Sequence, residues 1–390
     1  MSIIEYIFQT AADFLWKDWM LVMLLGLGIF YTFVTGFVQF CFFPYTVRYF
    51  LKEIRTRKNT GTDPESSGRC SSYQALCTAV ASCVGSGNIV GVSTAILAGG
   101  PGALFWMWSA ALLGMATKCA EITLGVRYHG QDEKGNITGG PMYYISRAFH
   151  AQWTGSLVAV LLFIQNAGAT LIQSNTISGV VVSIFKGAFS LQAGAGAAAG
   201  LTIREAMRYG VARGLYSNEA GEGSGAVIHA SAQVDYPVRQ GMFGIMEVFI
   251  DTILLCSTTG FTVLVTGVTQ THTTASTLAA AAFGSVFPGM QYVIYISLLL
   301  FSGTSIMSQW YFGHVSLTYL KKPRGASIYR ILFPFLIITG SLSTINMVWS
   351  IQDCALGLLI LPNVAALILL APEVRKLVKE FTDPKNNYIK

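Results

Sequence analysis

The chain has 390 residues, of which 53% are hydrophobic and 11% charged, whereas a soluble domain carries about a quarter charged residues. That composition excludes a soluble protein of two or three domains and points to a surface that faces lipid. The formal net charge of +6 does not indicate nucleic acid, because the basic residues fall in short clusters between apolar runs, as positive loops beside membrane spans do. The seven cysteines, Cys41, Cys70, Cys77, Cys83, Cys119, Cys256 and Cys354, form no CxxC pair. They read as small interior residues rather than disulfides or metal ligands. Residues 1–9 lack a basic start and a small-residue cleavage site, so no cleaved signal peptide is expected there.

A spanning helix needs about 20 mainly apolar residues. Runs of that kind cover residues 19–43, 73–98, 102–126, 153–184, 241–268, 288–317, 328–349 and 351–371, and a shorter Gly/Ala-rich stretch covers 185–201. Basic clusters lie at Arg48 to Lys58, at Arg127, Lys134 and Arg147, at Arg204, Arg208 and Arg213, at Lys321, Lys322 and Arg324, and at Arg375, Lys376 and Lys379. If every basic cluster is cytoplasmic, the chain crosses an even number of times between Arg147 and Arg204, and the Gly/Ala-rich stretch supplies one crossing. The connections near Gly99, Thr269 to Thr277 and Ser350 then lie outside. This gives about nine crossings in an all-α integral membrane protein, with the N-terminus outside and the C-terminus cytoplasmic.

Two runs carry interruptions. In the first, Gly85, Gly87 and Gly91 stand beside Ser82, Ser86 and Asn88, and each glycine inside a helix costs about 1 kcal/mol relative to alanine. In the second, Gly194, Gly196 and Gly200 alternate with alanines. Small residues also let transmembrane helices pack closely. The functional alternative is a helix unwound at mid-membrane, whose freed carbonyls bind a cation and whose half-helix N-terminus faces a carboxylate; paired interruptions in two halves of a chain favour it.

Polar residues inside the spans complete the candidate set. Gln165 and Asn166 precede Gln173, Ser174 and Asn175 by about two helical turns, so both groups share a face; they either line a solute cavity or tie helices together. Thr304 and Ser305 offer adjacent hydroxyls at mid-span, for a cation or for back-bonding to the preceding turn. Lys118 and Glu121, three apart, are placed to pair. Glu247 and Asp251 share a face, and either meet Arg208 or Arg213 or bind a cation or proton. His314 reads as a satisfied interior histidine. The sequence contains no Ser-His-Asp grouping, HExxH motif or P-loop, which leaves an ATP-driven pump or a membrane protease without support.

Several stretches resemble a known family. Gly85-Ser86-Gly87-Asn88-Ile89-Val90-Gly91-Val92 is followed by Gly99-Gly100-Pro101-Gly102-Ala103-Leu104-Phe105-Trp106-Met107-Trp108, by Lys118-Cys119-Ala120-Glu121 and by Gly139-Gly140-Pro141-Met142-Tyr143-Tyr144-Ile145. With Gly210-Val211-Ala212-Arg213-Gly214-Leu215-Tyr216-Ser217-Asn218-Glu219-Ala220-Gly221, these motifs, in this order, resemble the alanine/glycine:cation symporter family. The resemblance implies one transporter domain over 1–390 with a leucine-transporter-type inverted-repeat bundle: an extra N-terminal helix (19–43), a first repeat (73–184), a second repeat (185–371) and a cytoplasmic tail (372–390). It implies sodium-coupled uptake of alanine, glycine or a related small amino acid, with sodium as coupling ion and no other cofactor. Gly85, Ser86, Gly87, Asn88, Gln165, Asn166, Gln173, Asn175, Gly194 and Gly196 would contact the solute. Val84, Gly87, Thr304 and Ser305 would contact the cation.

Two departures accompany the resemblance. A helix pair is missing after about Ser183, which shortens the first repeat, and Glu222 stands where an apolar residue is more usual. The alternatives are therefore a truncated, non-transporting relative, a proton-coupled transporter or a channel.

Overall fold

The computed structural model describes residues 3–60, 70–132, 135–187, 202–270, 274–321, 323–386 and 388–389. In chain order the helices are α1 (Ile3–Leu15), α2 (Asp18–Val34), α3 (Val38–Cys41), α4 (Phe43–Thr60), α5 (Ser72–Cys83), α6 (Val90–Gly99), α7 (Gly102–Arg127), α8 (Pro141–Ala148) and α9 (Gln152–Gly187). They continue with α10 (Ile203–Asn218), α11 (Gly225–His229), α12 (Pro237–Val248), α13 (Ser257–Thr266), α14 (Ala275–Val286), α15 (Met290–Tyr319), α16 (Pro323–Leu342) and α17 (Ile345–Thr382). Among the described residues six helical stretches are long and apolar enough to cross a membrane, and two bent pairs, α1 with α2 and α5 with α6, raise this to eight.

Several boundaries differ from the hydropathy reading. The run 19–43 is not one helix: α2 stops at Val34, where Gly36 and Phe37 take positive φ values of 65° and 59°. The connection placed near Ser350 lies instead at Ser343–Thr344, and Ser350 sits inside α17. Thr344 caps that helix by accepting a hydrogen bond from the Met347 amide at 3.4 Å, a polar signal hidden in a long apolar run. The run 241–268 contains a π-helical segment over Phe249–Cys256 between α12 and α13. Such segments widen the turn and often mark functional sites; here it carries Asp251.

The two ends of the bundle are marked by side-chain pairs. At one end Tyr128 and Arg127 meet Glu373, Tyr236 meets Glu380, and Arg239 reaches the Tyr388 carbonyl. At the other, Trp16 donates to the Asp353 carbonyl, Arg213 pairs with Asp353, Arg208 with Asp13 and Arg204 with Asp18. The arginines at 204, 208 and 213 therefore lie towards the end opposite Arg127 and Glu373, which corrects the assignment of all basic clusters to one side. Each is matched by an aspartate distant in sequence, so a count of basic residues alone misreads them. Between Arg147 and Arg204, which lie towards opposite ends, α9 supplies a crossing. The Gly/Ala-rich stretch with Gly194 and Gly196 lies outside the described residues.

At the centre α7 packs against α10 and α12. Close approach is set by small residues: a Cβ on Gly210 of α10 would collide with the Ala103 carbonyl oxygen of α7, an approach that only glycine allows. Such backbone proximity substitutes for the hydrophobic drive that lipid does not supply.

Candidate functional site

The helix predicted to break at Gly85–Gly91 is interrupted there. Between α5 and α6, which meet at 61°, Val84 and Gly85 leave helical geometry and Ser86–Asn88 form a single 3-10 turn. The loosened backbone is not left unsatisfied. The Gly85 amide donates to Asn88 Oδ1 at 3.0 Å, and the Ser86 amide donates to Gln173 Oε1 on α9 at 3.1 Å. From α15 the Ser305 hydroxyl donates to the Ser82 carbonyl at 3.0 Å and stands 3.4 Å from the Val84 carbonyl. Three neutral oxygens thus converge at the break: Ser82 O, Val84 O and Ser305 Oγ. A hard monovalent cation prefers such ligands, because they replace its hydration shell without burying a countercharge.

The break is tightly enclosed. A Cβ at Gly85 would fall 2.6 Å from Ser305 Oγ and 2.7 Å from Gln173 Nε2. One at Gly87 would fall 3.3 Å from Ser217 Cα and from the Tyr216 ring. Asn88 then joins the break to the π segment: its amide nitrogen donates to Asp251 Oδ1 at 2.6 Å and to the Asp251 carbonyl at 3.1 Å. Thr252 donates to Asp251 Oδ2 and accepts from Asn218 at the end of α10.

A second layer of buried charge lies behind this. Lys118 on α7 pairs with Glu247 on α12 at 3.1 Å and donates to the Asn218 carbonyl at 3.0 Å. Glu247 also meets His229, which is held by Gln240. Glu121 accepts from Asn363 on α17, whose amide also serves the Gly221 carbonyl and whose oxygen accepts from Tyr144. These groups are buried. Taking charges out of water costs several kcal/mol per ion unless partners are well placed, which is why carboxylates, lysine and amides interlock here.

The structure brings together only part of the sequence-derived site. Val84, Gly85, Ser86, Asn88, Gln173 and Ser305 meet at the break. Gly87 sits at the same turn, where an added Cβ would meet Tyr216 and Ser217. Thr304 is exposed and bonds the Phe301 carbonyl of its own helix, pointing away from the break; neighbouring helical positions diverge by about 100°. Gln165 reaches Glu222, Asn166 bonds back to the Leu162 carbonyl, and Asn175 is bound to the carbonyls of Gly340 in α16 and of Ser343 just after it. Those three therefore lie away from the break, because a face shared on one long helix meets different neighbours at different depths. Lys118 and Glu121 do not pair with each other; each finds a partner from another helix. Glu247 meets Lys118 rather than Arg208 or Arg213.

Reasoning from the sequence missed the Ser82 carbonyl, the pairing of Asn88 with Asp251, and the contributions of Asn218, Thr252 and Asn363. Asp251 was visible as an intramembrane carboxylate, but nothing in its neighbourhood names Asn88, 163 residues away.

A broken spanning helix whose carbonyls meet a hydroxyl from another span, set against an interlocked buried polar core, defines a multi-pass secondary transporter. The chain belongs to the Sodium:alanine symporter family, whose profile matches residues 1–182 and 169–390. It is accordingly a membrane transporter of the amino acid symporter class and not an enzyme. It is 31% identical to the Sodium/alanine symporter AgcS of Methanococcus maripaludis over 98% of each chain. It is 30% identical to the Probable sodium/glutamine symporter GlnT of Bacillus subtilis, over 98% of this chain and 92% of that one. An uncharacterized transporter of Haemophilus influenzae is 32% identical, over 97% of this chain and 95% of its own. These alignments run over 448 to 456 positions, more than the 390 residues present, so this chain carries internal gaps relative to them. The two matched segments of the family profile overlap at 169–182, just before Ser183, after which the helix pair was expected to be missing.

Proposed function

We propose that the chain takes up alanine, glycine or a related small amino acid in symport with sodium, across a membrane in which its N-terminus lies outside and its C-terminus in the cytoplasm. The observation that carries this reading is the meeting of Ser305 Oγ with the Ser82 and Val84 carbonyls. Sodium would replace the Ser305 hydroxyl's hydrogen bond with coordination by all three oxygens. The amino acid would lie beside Gly85 to Asn88, its carboxylate facing backbone amides freed by the break. Gln173, already bonded to the Ser86 amide, is placed to shift its amide onto the solute. The family to which the chain belongs and the relatives named as sodium/alanine and sodium/glutamine symporters support the solute class.

The test is uptake of radiolabelled alanine by the purified chain in liposomes with an inward sodium gradient. Accumulation should collapse when sodium is replaced by potassium. Uptake indifferent to sodium, with alanine bound equally in its absence, would refute the coupling.

A second reading is a family member with reduced transport. It is favoured by the internal gap and by an open groove of about 310 Å³ between α9 and α16, lined by Ser174, Ile177, Ser178, Val181, Val182, Ile337 and Ser341. Inserting a helix pair from AgcS after Ser183 should then raise uptake at equal expression. No gain over the unmodified chain would exclude it.

A further inference from the structure

Gln165 and Glu222 are buried, 4% and 3% exposed, and the cation site has no use for either. Gln165 Nε2 donates to Glu222 Oε2 at 3.3 Å. The other two oxygens of this pair, Gln165 Oε1 and Glu222 Oε1, are enclosed and have no donor. We propose that Glu222 and Gln165 form a proton-binding site, in which Glu222 carries a proton on Oε1 and donates it to Gln165 Oε1.

A primary amide and a carboxylic acid each present one donor and one acceptor on the same edge, so together they close a ring of two hydrogen bonds. An ionised carboxylate is acceptor-only and leaves both oxygens bare. The one hydroxyl beside Glu222 cannot serve both carboxylates that flank it. Ser224, in the same loop, lies within reach of Glu222 as well as Glu219, and its single hydrogen goes to Glu219. From α7, Lys118 is committed to Glu247 and to the Asn218 carbonyl, while Glu121 adds a further carboxylate. From α17, both amide contacts of Asn363 go to Glu121 and the Gly221 carbonyl. Tyr216 of α10 lies within electrostatic reach of Glu222 but makes no hydrogen bond to it. Glu219, Glu222 and Glu121 thus crowd one lysine that is already paired, and a proton on Glu222 removes a like charge as well as supplying the absent donor. No group of three or more His, Cys, Asp or Glu side chains among the described residues is arranged to hold a metal ion, which favours a proton over a divalent cation.

The site is separate from the break: Gln165 precedes Gln173 on α9 by about 12 Å of helix rise. Its two halves belong to α9 and to the loop between α10 and α11, so any motion that parts those elements opens the ring and frees the proton. Proton occupancy does not require that alanine or sodium be the transported species.

The decisive measurement is infrared difference spectroscopy of the full chain in lipid vesicles, unmodified minus Glu222→Gln, at neutral pH and without sodium. The expected difference contains the C=O stretch of a protonated carboxyl, shifted in heavy water. Gln165→Leu should move that band to higher frequency, since the carbonyl loses its amide donor. In case the Gln variant does not fold, adding alkali to the unmodified chain should convert the same band to carboxylate absorption. A carboxylate signature in the difference spectrum, with or without dependence on added sodium, overturns the proposal, as does a C=O band unmoved by Gln165→Leu in a folded protein.

Discussion

Helices α7 and α16 show how differently a membrane protein uses apolar residues. In the most apolar window of α7, 67% of residues are buried inside the protein, against 17% for α16. Yet α16 is the more apolar of the two. Its Ile331, Phe335 and Leu342 are 67%, 62% and 82% exposed, a pattern that would be unstable in water and costs nothing in lipid. Lipid tails are as apolar as leucine, so they give no reason to bury such side chains. What draws α7 inward is Lys118 and Glu121, which must be kept from hydrocarbon, together with glycines and alanines that admit neighbouring backbones. Helix α17 confirms the point from the other direction: it is strongly apolar but 61% buried, and it carries Gln352, Asp353 and Asn363, of which Asp353 and Asn363 find partners on other helices.

This contrast is broken most directly at Lys118. Lys118→Met strands Glu247 beside only His229 and should destabilise the protein by about 3–5 kcal/mol. Thermal unfolding in detergent, or loss of the monodisperse peak on gel filtration, reads the effect. A variant as stable as the unmodified chain would mean that the ion pair does not hold the α7–α12 contact.

A smaller effect is expected at the break. Gly85→Ala places a methyl group against Ser305 Oγ and Gln173 Nε2 and should cost about 1–3 kcal/mol by overpacking. Because the strain falls on the break itself, uptake should be lost while membrane insertion and expression persist. Normal uptake by this variant would show that the break relaxes more freely than its contacts indicate.

On α15 the comparison narrows to adjacent residues. Ser305→Ala removes one of three converging oxygens and should raise the sodium concentration for half-maximal uptake about tenfold, the equivalent of a ligand worth about 1.4 kcal/mol. Thr304→Val, about 100° round the helix and exposed, should leave that concentration within about twofold, in line with the small effects of substitutions away from a site. Equal effects from the two would deny that only one hydroxyl faces the break.

The smallest change is expected on α16. Phe335→Ala alters a lipid-facing side chain and should shift stability by no more than about 0.5 kcal/mol, measured by the same thermal assay as Lys118→Met. A large loss would indicate that this face is covered by protein.

Much of the helical plan was legible in the sequence, because spanning helices need long apolar runs and breaks need residues that tolerate unwound backbone. Gly85, Gly87 and Asn88 announced the interruption between α5 and α6. Ser305 was legible as a mid-span hydroxyl, but its equivalence with Thr304 was not resolved, since which of two neighbours faces inward depends on how α15 is rotated in the bundle. Gln165, Asn166, Gln173 and Asn175 looked like one polar face. In the structure they meet Glu222, their own helix, the break and α16 respectively, because successive depths on a long helix meet different partners.

The sequence by itself determined that the chain is a polytopic membrane protein, where the spanning run 73–98 is interrupted and, through ordered motifs, to which family it belongs. Those properties reside in local composition: hydropathy over about 20 residues and glycine where helix is costly. Only the tertiary structure decided the pairings, of Lys118 with Glu247, Asn88 with Asp251, Arg208 with Asp13 and Glu222 with Gln165. Buried polar groups are satisfied by whatever partner the packing delivers. Those partners lie up to 195 positions apart in these pairs, beyond any pattern that spacing along a helix can encode.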